Sequence, residues 1–104
     1  MKTNIKDIPV YGRRPSADTV RFYYVYVLRC NNNLPYVGCT DNLISRLERH
    51  KKGHVPATKN LLPVALVCYF AFSNKYTAFN FEKYLKSGSG RAFIKKHIFE
   101  IIKL

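Results

Sequence analysis

The sequence predicts an α+β fold: a small sandwich with a three-stranded, mostly antiparallel sheet flanked by helices in the order ββαβαα. Three observations carry this expectation. Phe22 to Leu28 and Val64 to Phe72 are β-branched and aromatic almost throughout, as strands buried on both faces should be. Apolar residues then recur at helical spacing, as in Ala78, Phe81 and Leu85. The intervals between these runs hold turn chemistry, such as Asn31-Asn32-Asn33 and Ser87-Gly88-Ser89-Gly90. Sheet and helices with one apolar face each must stack in layers.

The elements follow in order. Residues 1–20 hold Pro9, Gly12 and Pro15 without sustained periodicity, and read as a flexible basic arm carrying Arg13 and Arg14. Residues 21–104 form the single domain, since 104 residues leave room for one modest core. The first strand turns through Asn31 to Asn33 into a second, Tyr36 to Cys39, making a hairpin. Thr40 or Asp41 is expected to cap a helix whose inner face carries Leu43, Leu47 and Ile44, with Gly53 ending it. A loop over 54–63 leads to the third strand. Ser73 or Asn74 opens the next helix, and the Ser87 to Gly90 stretch breaks it. The tail from Arg91 to Lys103 returns to helix, with Phe93, Ile94, His97, Ile98 and Ile101 on its inner stripe.

Charge gives the first functional clue. Eighteen Lys and Arg against six Asp and Glu leave a formal net charge of +12, which attracts polyanions at long range. Nucleic acid is the expected partner. No apolar run approaches the roughly 20 residues that span a bilayer, and Phe22 to Leu28 is too short and too deep in the chain for a signal peptide. Cys30, Cys39 and Cys68 are an odd set with no CxxC spacing, which suits a reducing cytoplasm better than a disulfide framework. Zinc ligation by Cys30, Cys39, His50 and His54 is not expected, because eight residues separate the two cysteines where structural sites use two to four. No small-molecule cofactor is expected.

Three constellations could carry chemistry. Tyr26 and Tyr36 should converge across the hairpin, either as a stabilising aromatic pair or as two phenols at one spot. Gly38 beside them marks a close backbone approach. Arg46 and His50 lie one turn apart on the first helix, a guanidinium for phosphate and an imidazole for protons, or else two members of the basic set Arg46, Arg49, Lys51 and Lys52. Glu82 stands at the edge of an apolar stripe, where a carboxylate is costly unless it is paired or binds a metal.

Together these residues resemble the GIY-YIG nuclease family. Tyr24-Val25-Tyr26 and, nine residues on, Tyr36-Val37-Gly38 match its paired motif, with Tyr24 in place of the glycine and Val25 of the isoleucine. Arg46, ten residues after Tyr36, matches the catalytic arginine; His50 matches a histidine of many members; Glu82 matches the metal-binding glutamate. The stretches Glu82 to Lys86 and Gly88 to Arg91 are similar to small stand-alone bacterial members, and the domain resembles the catalytic domain of the excision-repair endonuclease. Two positions depart from the pattern: Cys39 stands where the repair branch has lysine, and Ile94 occupies the region of an asparagine that some members carry.

The resemblance implies a metal-dependent endonuclease, a hydrolase of phosphodiester bonds, with DNA repair as its expected setting. One magnesium or manganese ion held by Glu82 would stabilise the leaving oxygen, and Arg46 the transition state. Tyr26, Tyr36 and His50 would position and deprotonate water, the base among them left open. All five catalytic candidates are expected to line one concavity. Gly38, Arg49, Lys51, Lys52, Lys86, Arg91, Lys95 and Lys96 are the expected nucleic-acid contacts, chiefly to phosphate. The alternative is a basic, non-catalytic nucleic-acid-binding module on a degenerate nuclease fold.

Overall fold

The computed structural model describes residues 21–99, so the expected arm over 1–20 and the end of the tail, with Ile101 and Lys103, lie outside the described residues. Strands β1 (Tyr23–Arg29) and β2 (Pro35–Thr40) are followed by α1 (Leu43–Lys51), β3 (Ala65–Phe72), α2 (Lys75–Leu85) and α3 (Gly88–Ile94). A π-helical turn, Lys95–Phe99, continues from α3. The sheet runs β2-β1-β3 with both pairings antiparallel, so the expected ββαβαα sandwich is the architecture found.

Alternation along β1 sends side chains to two different layers. Val25 and Val27, with Val37 of β2, pack against Ala78 and Leu85 of α2 and Ile94 of α3. Fully burying a residue of this kind contributes about 1.5–3 kcal/mol, which fixes α2 and α3 on this face. Tyr24, Tyr26 and Leu28 point the other way. There α1 and the loop after it supply the cover, through His50, which bonds Tyr26 of the sheet and is backed by Thr58. The hairpin turns at Asn33, whose φ of 65° is a conformation that asparagine tolerates. Pro35 can open β2 because β2 is an edge strand.

Several expectations change in detail. The cap of α1 is Asn42, whose side chain accepts from Ser45 N at 3.1 Å. Thr40 is not the cap because its hydroxyl bonds the backbone of Asn42, and Asp41 is not because it pairs with Arg21 at 3.1 Å. Ile44 is not on the inner face; it is 78% exposed. Strand β3 is an edge strand with one face open, leaving Leu66 and Tyr69 exposed rather than buried on both sides. The Ser87 to Gly90 stretch ends α2 but does not stay non-helical. Ser87 caps α3 by accepting from Gly90 N, and α3 begins at Gly88. A side chain at Gly90 would collide with the backbone of Tyr84 and Leu85, so this glycine allows close packing rather than breaking a helix. The α-helical tail gives way to the π turn after Ile94.

Candidate active site

Strand register brings the two tyrosines together diagonally. Tyr26 faces Gly38, and Leu28 faces Tyr36. The ring of Tyr26 lies across β2 over Gly38, where any Cβ would collide with its ring and hydroxyl. The close approach expected at Gly38 is therefore made by a side chain, and it carries the phenol across β2 to the buried meeting point with Arg46 and His50. The rings of Tyr26 and Tyr36 are 6.4 Å apart, and His50 stands edge-on to both at 5.6 and 5.3 Å.

A line of hydrogen bonds runs inward from this point. Arg46 Nε donates to the Tyr26 hydroxyl at 3.4 Å, a long bond. The same hydroxyl meets His50 Nε2 at 2.8 Å, and His50 Nδ1 meets Thr58 Oγ1 at 2.7 Å. Tyr26, His50 and Thr58 are all fully buried. Arginine can only donate, so the Tyr26 oxygen accepts, and its buried O–H needs an acceptor of its own. His50 Nε2 supplies it. The imidazole is then the Nδ1–H tautomer, donating to Thr58.

The electrostatics agree with that assignment. Burial, then the Arg46 and Arg49 charges, hold His50 below its ordinary pKa, so it is neutral at pH 7. Burial raises the Tyr26 phenol above 10, opposed mainly by the hydrogen bond from Arg46. Both phenols in turn stabilise the Arg46 guanidinium, the Tyr26 hydrogen bond most of all. Thr58 is the member of this group that sequence reading missed. Its only signal was a hydroxyl residue between two prolines in a loop, which spacing along a helix or strand cannot detect.

Glu82 comes from the other layer. Helix α2 packs on the Val25 and Val37 face, so the expectation that all five candidates line one surface changes: four meet on one face of the sheet, and Glu82 approaches β2 from the opposite one. Edge strand β2 has no outer neighbour, so its rim is open to both layers. Behind burial at each, the Glu82 charge helps raise the Cys39 thiol, where it is the next-largest cause, and the Tyr26 phenol, where it is the smallest. Its side chain is 22% exposed and pairs with Lys86 at 3.0 Å, one turn along α2. Among the described residues no group of three or more His, Cys, Asp or Glu gathers. A divalent ion here would rest on the Glu82 carboxylate with water and phosphate oxygens, the hard-oxygen surroundings that suit magnesium.

The basic candidates divide. Arg49 donates to His54 O, and Lys51 and Lys52 are exposed at the end of α1. Arg91 and Lys95 line a different groove, with Asn33, Leu34, Pro35 and Phe99 at the hairpin end of the sheet. Lys96 is exposed on the π turn.

Comparison with known proteins agrees with this architecture. A family model of the GIY-YIG catalytic domain matches residues 22–96. A UPF0213 protein of Pediococcus pentosaceus is 42% identical over 74 residues, covering 70% of this chain and 78% of that protein. A UPF0213 protein of Clostridium perfringens is 39% identical over 64 residues, covering 61% and 69%. One from Staphylococcus haemolyticus is 35% identical over 74 residues, covering 70% and 90%. No solved structure gives a significant match.

Proposed function

The chain belongs to the GIY-YIG catalytic-domain family, among its small stand-alone UPF0213 relatives, and we propose that it is a metal-dependent endonuclease hydrolysing phosphodiester bonds in nucleic acid, DNA before RNA. The observation that carries this reading is the line Arg46–Tyr26–His50–Thr58, buried from Tyr26 inward and flanked by Tyr36. An aromatic pair serving only the sheet would not require an imidazole buried with both nitrogens bonded, because burying polar groups costs free energy.

Within this proposal, exposure is the basis on which roles are given. Tyr26 is fully buried, so it cannot meet water or phosphate and acts as a positioning residue. Tyr36, half-buried beside it, is the phenol within reach of an attacking water. Tyr36 is the group placed to orient that water and take its proton, beside the Arg46 guanidinium. Arg46 is held in place by Tyr26 and directs its remaining N–H groups toward the scissile phosphate, where the charge of the transition state develops. His50 and Thr58 orient Tyr26 and thereby Arg46. Glu82 is the residue that would hold one magnesium or manganese ion, which when bound supplies charge stabilisation to the leaving oxygen. Lys86 would then turn from Glu82 toward phosphate.

Two observations favour the non-catalytic binding module: Glu82 lies on the helix that covers the face opposite Tyr36, and it is already paired with Lys86. Cleavage of labelled linear, flap, branched and single-stranded substrates, with and without magnesium, decides between the two readings. The parent should cut at least one substrate, and Tyr36→Phe should bind it equally while cutting about 10²–10⁴-fold more slowly. A parent that binds but cuts nothing would establish the alternative.

A further inference from the structure

The face of the sheet that carries Tyr26 continues past it to a second feature. Tyr69 of β3 sits directly opposite Tyr26, on the side away from Gly38. Its ring meets Tyr24 edge-on, with centroids 5.9 Å apart. The start of α1 faces these two rings, and between them lies a cleft of about 290 Å³ lined by Tyr24, Tyr69, Leu43, Ile44, Asp41 and Asn42. Tyr69 is 52% exposed and Ile44 78% exposed, so two apolar members of the cleft stand open to water. The rim is polar, and Asp41 is already neutralised by Arg21.

From these observations we infer that the cleft binds an unpaired nucleobase of the strand whose phosphate meets Arg46. Three physical points select this occupant. An exposed tyrosine ring and a branched aliphatic side chain lining one cleft are complementary to the faces of a base, and stacking on tyrosine tolerates every base. The excess of eighteen basic over six acidic residues draws in a phosphate backbone rather than an apolar peptide. Continuity supplies the third. Tyr69 faces Tyr26 across the β1–β3 pairing, the Tyr26 hydroxyl accepts from Arg46, and β2 and β3 are two strand spacings apart, about 10 Å. One strand can therefore present a phosphate at Arg46 and a nearby base to Tyr69. A base inside a regular duplex is stacked and paired and cannot enter. The site would accordingly favour single-stranded or locally opened nucleic acid. This inference rests on the nuclease reading for its alignment with Arg46, but base binding can be measured apart from cleavage.

The experiment is metal-free binding of labelled single-stranded and fully paired oligonucleotides, DNA and RNA, to the parent, Tyr69→Ala, Tyr69→Phe and Ile44→Asp. Tyr76→Ala serves as control, because Tyr76 is 70% exposed on α2, outside the cleft. Tyr69→Ala should weaken single-strand binding about 5- to 100-fold, the loss of one stacked base, and leave duplex binding unchanged. Tyr69→Phe and Tyr76→Ala should match the parent, while Ile44→Asp should repeat the selective loss. A 2-aminopurine oligonucleotide should be quenched by the parent and not by Tyr69→Ala. Equal losses on both substrates, no loss, or the same loss from Tyr76→Ala would overturn the inference. If Tyr69→Ala binds single strands normally while the parent still cuts, the cleft fails and the nuclease stands. If the parent quenches but cuts nothing, the nuclease reading fails and the cleft stands.

Discussion

Replacing Thr58 by valine removes one hydroxyl and keeps the shape of the side chain. The bond it deletes, His50 Nδ1 to Thr58 Oγ1 at 2.7 Å, joins two fully buried groups. A buried donor left without a partner costs about 1–3 kcal/mol. His50 cannot escape by changing tautomer. Moving the proton to Nε2 would satisfy Nδ1 as a non-donor but would leave the Tyr26 hydroxyl, 2.8 Å away, without its acceptor. The penalty is moved, not removed. For a domain of this size about 1 kcal/mol lowers the melting temperature by roughly 4–8 °C, so a loss near the middle of the range should appear as about 10 °C in a calorimetric melt. If the same free energy is lost from the alignment of Tyr26 and Arg46 in the transition state, single-turnover cleavage should slow about 5- to 150-fold. Thr58→Ser, which retains the hydroxyl, should restore both. A Thr58→Val protein that melts and cuts like its parent would refute the proposed tautomer and the positioning role built on it.

Further expectations concern the same line of residues. Gly38→Ala should drive the Tyr26 ring off β2, costing about 1–3 kcal/mol in a urea titration as overpacking does, with a larger fall in cleavage than in nucleic-acid affinity. The depressed His50 pKa gives a pH dependence whose sign is fixed: between the folded value and about 6.5 the unfolded chain binds the extra proton, so stability is lost as pH falls below about 6.5. Urea midpoints at pH 7.5 and 5.5 should show this loss, and His50→Gln should reduce the difference. Binding to duplex DNA should weaken linearly in log–log form with salt, at about 0.9 per phosphate neutralised; a flat response in a fluorescence titration would contradict a phosphate-led interface.

Much of the fold could be read from the chain because each element had a local cause. The hydrophobic runs around Val25 and Phe70 and the helical spacing of Ala78 and Leu85 each report a face that must be buried. The caps were less legible. Thr40, Asp41 and Asn42 are all competent, and only the engagement of Asp41 by Arg21 and of Thr40 by the backbone leaves the role to Asn42. Gly90 misled for a related reason: a glycine that admits a neighbouring helix looks, in sequence, like one that stops its own. At the site, strand alternation paired Tyr26 with Tyr36 and helical spacing paired Arg46 with His50, while their meeting in one site was what the family resemblance implied. Their order in the hydrogen-bonded line depended on a loop residue, Thr58, whose position is set by tertiary packing. The approach of Glu82 from the opposite layer was also out of reach, since spacing within α2 says nothing about which side of the sheet that helix covers.

Magnesium-dependent cleavage by the parent and by Glu82→Gln, measured beside metal-free binding of the same labelled substrate, tests the central claim most directly. The substitution keeps the size of the side chain and removes the charge now shared with Lys86 at 3.0 Å. The parent should cut only with a divalent ion. Glu82→Gln should not cut, and should bind as tightly as the parent or more so, because an anion near the phosphates is gone and Lys86 is freed. Equal cleavage by the two proteins would contradict the role given to Glu82, and a parent that binds yet leaves every substrate intact would contradict the enzyme itself.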